Sequence, residues 1–421
     1  MAEREGPALQ KWLRYISSTH LKNIDMGLER VQKIALRMGL IPVPYKSIIV
    51  GGTNGKGSTC TAVAGILDSL NYNVGVTMSP HIVSFNERII INNNIISDEF
   101  ACEGFAVIEE ARENVPLTYF EFSALLALYC FYTKKVEVGI FEVGLGGRLD
   151  AFNIVDADIA VITSISLDHT EYLGATVQAI GAEKAGIFRK NQNVVLGPNL
   201  PIVVREKAEQ LECCIDEFGK SFWTSSLETG LWSYRSNIAE IKDIERGDLA
   251  SANASLGLHA ALLLDQKTKS NYVDEMIIKK QMRGLSLSGR MESIFAFERE
   301  FVFDVAHNPG GAAFLSTEIK VRYGNRKLYG VFGGLKDKDT FGIFSELDRV
   351  IKRWYGVDIE GDRSLGSEDA ISRIPHHIHY EPIGEVEEVL KRIISETEVS
   401  DVILVCGSFA AVEQVKDALT C

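Results

Sequence analysis

The stretch Ile48-Ile49-Val50-Gly51-Gly52-Thr53-Asn54-Gly55-Lys56-Gly57-Ser58-Thr59 restricts this chain more than any other. Its apolar start reads as a buried strand. Cys60, Val63, Ala64, Leu67 and Leu70 then fall on one face of a helix. Four glycines surround a lysine between the two. Such a loop cradles phosphate, because glycines let backbone N–H groups approach an anion and a helix N-terminus adds partial positive charge. Lys56 is placed to reach terminal phosphates, and Ser58 or Thr59 to ligate Mg²⁺. The common G-x-x-x-x-G-K-[ST] pattern is not met, since Val50 and Gly57 stand where it needs glycine and a hydroxyl. A plain turn closing a βα unit needs only one or two glycines. A nucleotide site is therefore favoured.

With 421 residues the chain exceeds one ordinary core, and two or three domains are expected. A net charge of −13 argues against nucleic acid as a partner and requires an ATP site to gather positive charge locally. The seven cysteines form no C-x-x-C pair, which disfavours zinc and disulfide frameworks and suits reduced thiols in a cytoplasm. The N-terminus is charged, without an apolar signal region. The most apolar stretch, 122–132, is too short to span a bilayer. A cytoplasmic protein without a membrane partner is expected.

Beyond the cradle, strands are expected at 74–77, 137–143 and 158–165, with a hairpin over 82–97 and helices over 98–112, 122–132 and 176–188. Residues 190–240 read as a strand, a helix and β-rich pieces of uncertain order. A helix over 248–265 follows, and the alternation restarts with strands near 301–305, 327–333, 349–355, 376–380 and 401–406. The expected class is α/β with two domains. Residues 1–293 form a P-loop-type, mostly parallel sheet with helices, and 294–421 a smaller Rossmann-like domain. Ligands of such sheets sit at the carboxyl ends of strands. Lys56, Ser79, Glu142 and His169 all fall there, and the chemistry is expected in the cleft between domains.

Glu142 ends an apolar strand, where a buried carboxylate is costly unless paired or metal-bound. It reads as a Mg²⁺ ligand beside Ser79 and His169, against the alternative of an ion pair with Arg148. Imidazole is an unusual Mg²⁺ ligand, so His169 alone weighs little. Lys184 falls on the inward stripe with Val177 and Ile180. Desolvation lowers a lysine's affinity for its proton, and a neutral amine can capture CO₂ as a carbamate. From the residues alone a salt bridge to Glu183 or another carboxylate is the simpler reading. Asp304 and His307 fit an ordinary capped loop as well as a nucleotide contact, and Arg290 a linker surface as well as a site.

These motifs together resemble the Mur ligase superfamily, and within it the bacterial folylpolyglutamate synthase/dihydrofolate synthase family. The pieces are I-D-M-G-L-E-R (24–30), G-T-N-G-K-G-S (52–58), S-P-H (79–81), F-E (120–121), E-V-G-L-G-G-R-L-D-A (142–151), N-I-V-D-A-D (153–158), L-D-H-T (167–170), E-K-A-G-I-F-R (183–189), S-G-R-M-E (288–292), D-V-A-H-N-P (304–309), L-K-D-K-D (335–339) and G-S-F (407–409). They run in family order along nearly the whole chain. The resemblance implies that Gly55, Lys56, Gly57 and Ser58 hold ATP phosphates, with Asn253, Arg290 and Asp304 as further ATP contacts. It implies Mg²⁺ on Ser79, Glu142 and His169, with K⁺ as an optional second ion. It makes Lys184 an N6-carboxylysine, against the simpler reading. Thr118 and Leu149-Asp150-Ala151 become the pterin-side substrate site, with Asp150 gripping the ring edge through two hydrogen bonds.

The implied reaction is ATP-dependent ligation of L-glutamate to dihydropteroate and reduced folates through an acyl phosphate, by a monomer. Lys56, Lys184 and His169 are its catalytic candidates. The chain departs from the family pattern at Phe152, which raises a reshaped pterin pocket, at Val305 and at Ala410-Ala411. A cell-wall amino-acid ligase, a folylpolyglutamate synthase without the dihydropteroate reaction, a P-loop switch protein and a non-catalytic ATP binder are the rivals.

Overall fold

The computed structural model describes residues 6–20, 24–226, 230–268, 274–324 and 326–420. Residues up to Gly247 together with Ser251–Leu285 form one compact unit; Asp248–Ala250 and the chain from Ser286 form another. The strands of the first unit are β1 (Lys46–Gly51), β2 (Val74–Thr77), β3 (Ile89–Ile91), β4 (Asn94–Ile95), β5 (Val138–Glu142), β6 (Ile159–Ile162), β7 (Asn193–Leu196), β8 (Cys214–Glu217), β9 (Phe222–Ser226), β10 (Leu231–Ser236) and β11 (Glu240–Glu245). Those of the second are β12 (Glu292–Ala296), β13 (Arg299–Phe303), β14 (Leu328–Phe332), β15 (Gly334–Leu335), β16 (Ile351–Val357), β17 (Ser364–Leu365), β18 (Tyr380–Gly384) and β19 (Val402–Cys406).

The main sheet of the first unit runs β4-β3-β2-β5-β1-β6-β7-β8. From β2 to β8 neighbours are parallel, and the β3–β4 hairpin closes one edge antiparallel. The chain builds outward from β1 in both directions, with β5 on one side and β6 on the other. The strand order therefore switches at β1, and a crevice opens past its carboxyl end. β1 is buried from Ser47 onward and β5 throughout. A sheet covered on both faces demands such continuous apolar runs. The helix Tyr119–Thr133 is apolar nearly all round and almost wholly buried, as such a helix must be. A small antiparallel sheet β11-β10-β9 completes the unit and gives order to what sequence left unordered.

The second unit carries the sheet β12-β13-β19-β14-β16-β18, parallel except for β12–β13, and a short β15–β17 pair. Its core centres on Val302, Leu315, Phe332, Phe344, Trp354 and Leu404. Residue 293, where the sequence reading divides the chain, lies inside β12.

Three local expectations change. The hairpin over 82–97 is shorter, because Phe85–Arg88 winds into a 3₁₀ turn fixed by a Ser84/Glu87 capping box. Asn92 and Asn93 then make the turn with positive φ. The helix expected to run to 188 ends at Lys184 and tightens into 3₁₀ turn Ala185–Ile187. The strand expected at 376–380 starts only at Tyr380. No helix among the described residues is long and apolar enough to cross a membrane.

Candidate active site

The cradle forms as its glycines require. Gly52 has φ +142°, and a Cβ there would lie 1.9 Å from Thr163 Oγ1. Gly55, the residue before the helix Lys56–Ser69, has φ +85°, and a Cβ there would meet Asn253 Oδ1 at 2.3 Å. Both conformations and both contacts exclude a side chain. Asn253, expected as an ATP contact, thus lies directly against the loop, and its carbonyl accepts from Thr59 Oγ1 at 3.4 Å.

The loop is also laced to the segment after β6. Thr53 N donates to Ser164 O at 2.7 Å and Asn54 N to Ser164 Oγ at 3.0 Å. Thr163 Oγ1 and Ser164 Oγ return to Asn54 O at 2.7 and 2.9 Å, and Ser166 N donates to Thr53 Oγ1 at 3.1 Å. Sequence reasoning missed these three hydroxyl residues. Their signal is a run of hydroxyls, Thr163-Ser164-Ile165-Ser166, at the end of an apolar strand.

Two lysines converge on one carbonyl. Lys56 Nζ donates to Gly52 O at 3.2 Å and Thr53 O at 3.1 Å, and Lys184 Nζ donates to the same Gly52 O at 2.8 Å. Lys184 is buried, 4% exposed. Burial first, and the Lys56 charge second, pull its pKa down from 10.5 to about 7. The salt bridge to Glu183 does not form. Glu183 instead takes Arg148 Nε at 3.0 Å, since adjacent helical residues point in different directions. The same contact draws the Arg148 guanidinium to Glu183, away from the proposed pairing with Glu142.

Glu142 is buried at the carboxyl end of β5, and its Oε2 accepts Ser79 N at 2.9 Å. Two of the three proposed metal ligands therefore touch. His169 comes from the loop after β6, in a left-handed conformation (φ +49°), with Asp168 Oδ1 accepting its backbone N–H at 2.9 Å. Among the described residues no cluster of three His, Cys, Asp or Glu side chains gathers. A buried carboxylate with hydroxyls at hand is nevertheless an oxygen-donor set of the kind Mg²⁺ takes, so these residues fit the ion.

On the acceptor side Thr118 caps the helix Tyr119–Thr133 in a box with Glu121, with Thr118 N donating to Glu121 Oε2 at 2.8 Å and Glu121 N to Thr118 Oγ1 at 3.2 Å. Glu121 also takes Arg30 Nε at 3.2 Å, tying the 24–30 motif to this helix. Asp150 is engaged by the backbone of its own loop. Its Oδ2 accepts Gly144 N and Leu145 N at 2.9 and 3.0 Å, and its Oδ1 accepts Phe152 N at 3.0 Å. The carboxylate is buried, with its pKa raised by desolvation to about 6. It holds together the loop from 144 to 152, and a ring edge would share its oxygens with these three backbone donors. Leu149 and Ala151 flank it in that loop. Phe152 is buried against Phe120 and Phe141, at 5.7 and 5.4 Å between ring centroids.

Arg290 and Asp304 lie together in the second unit. Asp304 accepts Met291 N at 3.1 Å and Ala306 N at 2.9 Å, and burial raises its pKa while Arg290 opposes. Arg290 stacks over Phe409, 5.3 Å from the ring centroid, and His307 Nδ1 bonds Val305 O at 2.8 Å. Phe409 was missed as a partner; its signal was the G-S-F motif.

Comparison with known proteins agrees with this arrangement. Residues 50–259 match the Mur ligase middle domain and residues 289–409 the Mur ligase glutamate ligase domain. The dihydrofolate synthase/folylpolyglutamate synthase of Escherichia coli is 36% identical over 413 residues, covering 98% of this chain and 95% of that one. The solved structure of E. coli FolC in complex with DHPP and ADP aligns with a TM-score of 0.91 at 35% identity, covering 100% of this chain and 99% of that one. The Yersinia pestis bifunctional folylpolyglutamate synthase/dihydrofolate synthase complexed with AMPPNP and Mn ion gives 0.90 at 35%, with 100% of both chains covered. The chain belongs to the dihydrofolate synthase/folylpolyglutamate synthase family of Mur ligases.

Proposed function

We propose that this chain joins L-glutamate to dihydropteroate, and adds further glutamates to reduced folates, at the expense of ATP. The observation that carries the reading is the convergence of Lys56 and Lys184 on Gly52 O beside a strand-end carboxylate, in a chain similar to such ligases along its whole length. An acceptor carboxylate oxygen attacks the γ-phosphorus. The bond to the β–γ bridging oxygen breaks, and ADP leaves an acyl phosphate. The glutamate α-amine then attacks the acyl carbon, a C–N bond forms, the C–O bond to phosphate breaks, and the amine gives up its proton.

Phosphoryl transfer is chiefly positioning and charge neutralisation. The backbone N–H groups of Gly55, Gly57 and Ser58 with the Lys56 ammonium cradle the phosphates, and Asn253 holds the loop that presents them. Mg²⁺, held by Glu142, Ser79 and His169, supplies further neutralisation when bound. K⁺ is a second ion to test. The Lys184 amine, about half neutral at pH 7, adds to CO₂ with loss of a proton and becomes the anionic N6-carboxylysine. Thr118 and the Leu149–Ala151 loop shape the acceptor side, Asp150 through the loop it holds. Residues 1–293 serve as the ATP domain and 294–421 as the glutamate domain, and Arg290 and Asp304 are further nucleotide contacts. The proposed form is a monomer working in the cytoplasm.

The test is ADP release across a panel of carboxylate acceptors with and without L-glutamate, with dihydrofolate measured directly. Glutamate-dependent release with dihydropteroate and with tetrahydrofolate is expected. Elongation of tetrahydrofolate without dihydrofolate formation reduces the activity to folylpolyglutamate synthesis, and glutamate-independent release rejects a ligase.

A further inference from the structure

Arg88 is a cation set inside the first unit, where burial opposes its charge and the Glu142 and Glu87 carboxylates favour it without a direct ion pair. It ends the 3₁₀ turn Phe85–Arg88, and its carbonyl accepts Met78 N at 3.0 Å, which ties the turn to the end of β2. Its guanidinium Nε donates to His81 Nδ1 at 2.8 Å. Its Cζ lies 5.8 Å from the Phe85 ring centroid and 5.4 Å from that of Tyr119. The adjacent carboxylate, Glu87, is committed elsewhere, with its oxygens accepting Ile82 N, Val83 N and Ser84 N. Among the described residues no ion pair involves Arg88, and the Nε bond is the side chain's one donated hydrogen bond. The acceptor it does have is an imidazole nitrogen and not a carboxylate.

A guanidinium in this setting is costly, and the N–H donors of its fork remain for a partner. Arg88 is half-buried rather than fully enclosed. The place is informative. His81 belongs to the Ser79-Pro80-His81 segment, whose Ser79 N rests on Glu142. Tyr119 follows Thr118, the cap on the acceptor side. Arg88 thus stands between the metal-side residues and the acceptor-side residues. A guanidinium fork matches the planar geometry of a carboxylate and takes it through paired hydrogen bonds.

We propose that Arg88 binds the acceptor carboxylate of the pteroate or folate substrate and holds it for attack on the nucleotide. The proposal rests on the ligase reading above. Carboxylate-to-carboxylate repulsion with Glu142 would otherwise oppose that approach, and the Arg88 charge offsets it. The Phe85 and Tyr119 rings brace the guanidinium through cation–π contact.

The experiment compares binding of dihydropteroate with binding of its carboxamide by calorimetry, in the full-length protein with a non-hydrolysable ATP analogue. Wild type, Arg88→Met and Arg88→Lys are measured together. Wild type is expected to favour the carboxylate about tenfold or more. Arg88→Met keeps the packing stem and removes the fork, and the preference is expected to vanish. The acceptor KM should rise by a similar factor, while the KM for ATP stays within about twofold. Arg88→Lys keeps the charge without the fork and should retain part of the preference; it decides the matter if Arg88→Met does not fold. An undiminished preference in the variants, or a parallel loss for carboxylate and carboxamide, overturns the assignment and makes Arg88 structural. Wild-type protein lacking glutamate-dependent ADP release overturns the ligase reading first and this proposal with it.

Discussion

The depressed pKa of Lys184 makes a prediction that two independent measurements check. A fall from 10.5 to about 7 corresponds to about 5 kcal/mol of differential cost for the ammonium form. At pH 7.5 an ordinary lysine is neutral in roughly one molecule in a thousand, whereas Lys184 is neutral in about three of four. The reactive amine is therefore several hundred-fold more available to CO₂. Protein stripped of CO₂ at pH 6 and assayed in scrubbed buffer should have lost most glutamate-dependent ADP release. Bicarbonate at pH 7.5 should restore it, with a ¹³C carbamate resonance from labelled bicarbonate.

The same shift acts on stability in CO₂-free buffer. The unfolded state binds more protons than the folded state between about pH 7 and 10.5, so the linked stability rises with pH across that window and the penalty is whole below it. Lys184→Met removes the charge and forfeits the bond to Gly52 O, worth about 1 kcal/mol. Urea unfolding should find this variant more stable than wild type by roughly 3–4 kcal/mol at pH 6, shrinking to about 1 kcal/mol at pH 9. No carbamate signal and no bicarbonate dependence would refute the modification. A wild type more stable than Lys184→Met at pH 6 would refute the desolvation argument itself.

Lys56→Ala should lower glutamate-dependent ADP release by at least about a thousandfold, since the loop loses its charge at the transferred phosphoryl group; near-normal turnover rejects the cradle. Glu142→Gln and His169→Ala should each shift the Mg²⁺ concentration for half-maximal activity upward by about tenfold or more, and unaltered metal dependence in both rejects a shared ion. Asp150→Ala should lower the melting temperature by several degrees and reduce dihydropteroate ligation and folate elongation alike, because three backbone N–H groups lose their acceptor. A selective loss of the dihydropteroate reaction at unchanged stability would return Asp150 to the ring.

Features set by nearby residues were legible in the sequence. The helix Asp98–Arg112 begins at Ser97, whose hydroxyl caps it, and the cradle's strand, glycines and helix follow one another in the chain. Contacts between distant segments were not. Nothing local in Thr163 or Ser164 says that they will hold Asn54, because that contact exists only once β1 and β6 pair. The loop contacts of Asp150 were hidden for a related cause. A carboxylate's free lone pairs depend on how its own loop turns, which residue type does not record. Lys184 shows the opposite case, where helical spacing put the amine inside but only the packed structure could tell a salt bridge from a carbonyl contact.

The lacing of Thr53 and Asn54 to the segment after β6 bears on how nucleotide arrives. A glycine-rich loop free in solution loses about 1–2 kcal/mol of conformational entropy for each residue it orders. Here that loss is met during folding, because the partners of the loop are protein atoms already in place. Nucleotide binding should therefore resemble docking onto a rigid mould, with a small heat-capacity change and fast, single-step association. The amide protons of Thr53 and Asn54 should resist exchange with solvent deuterium before any ligand is added.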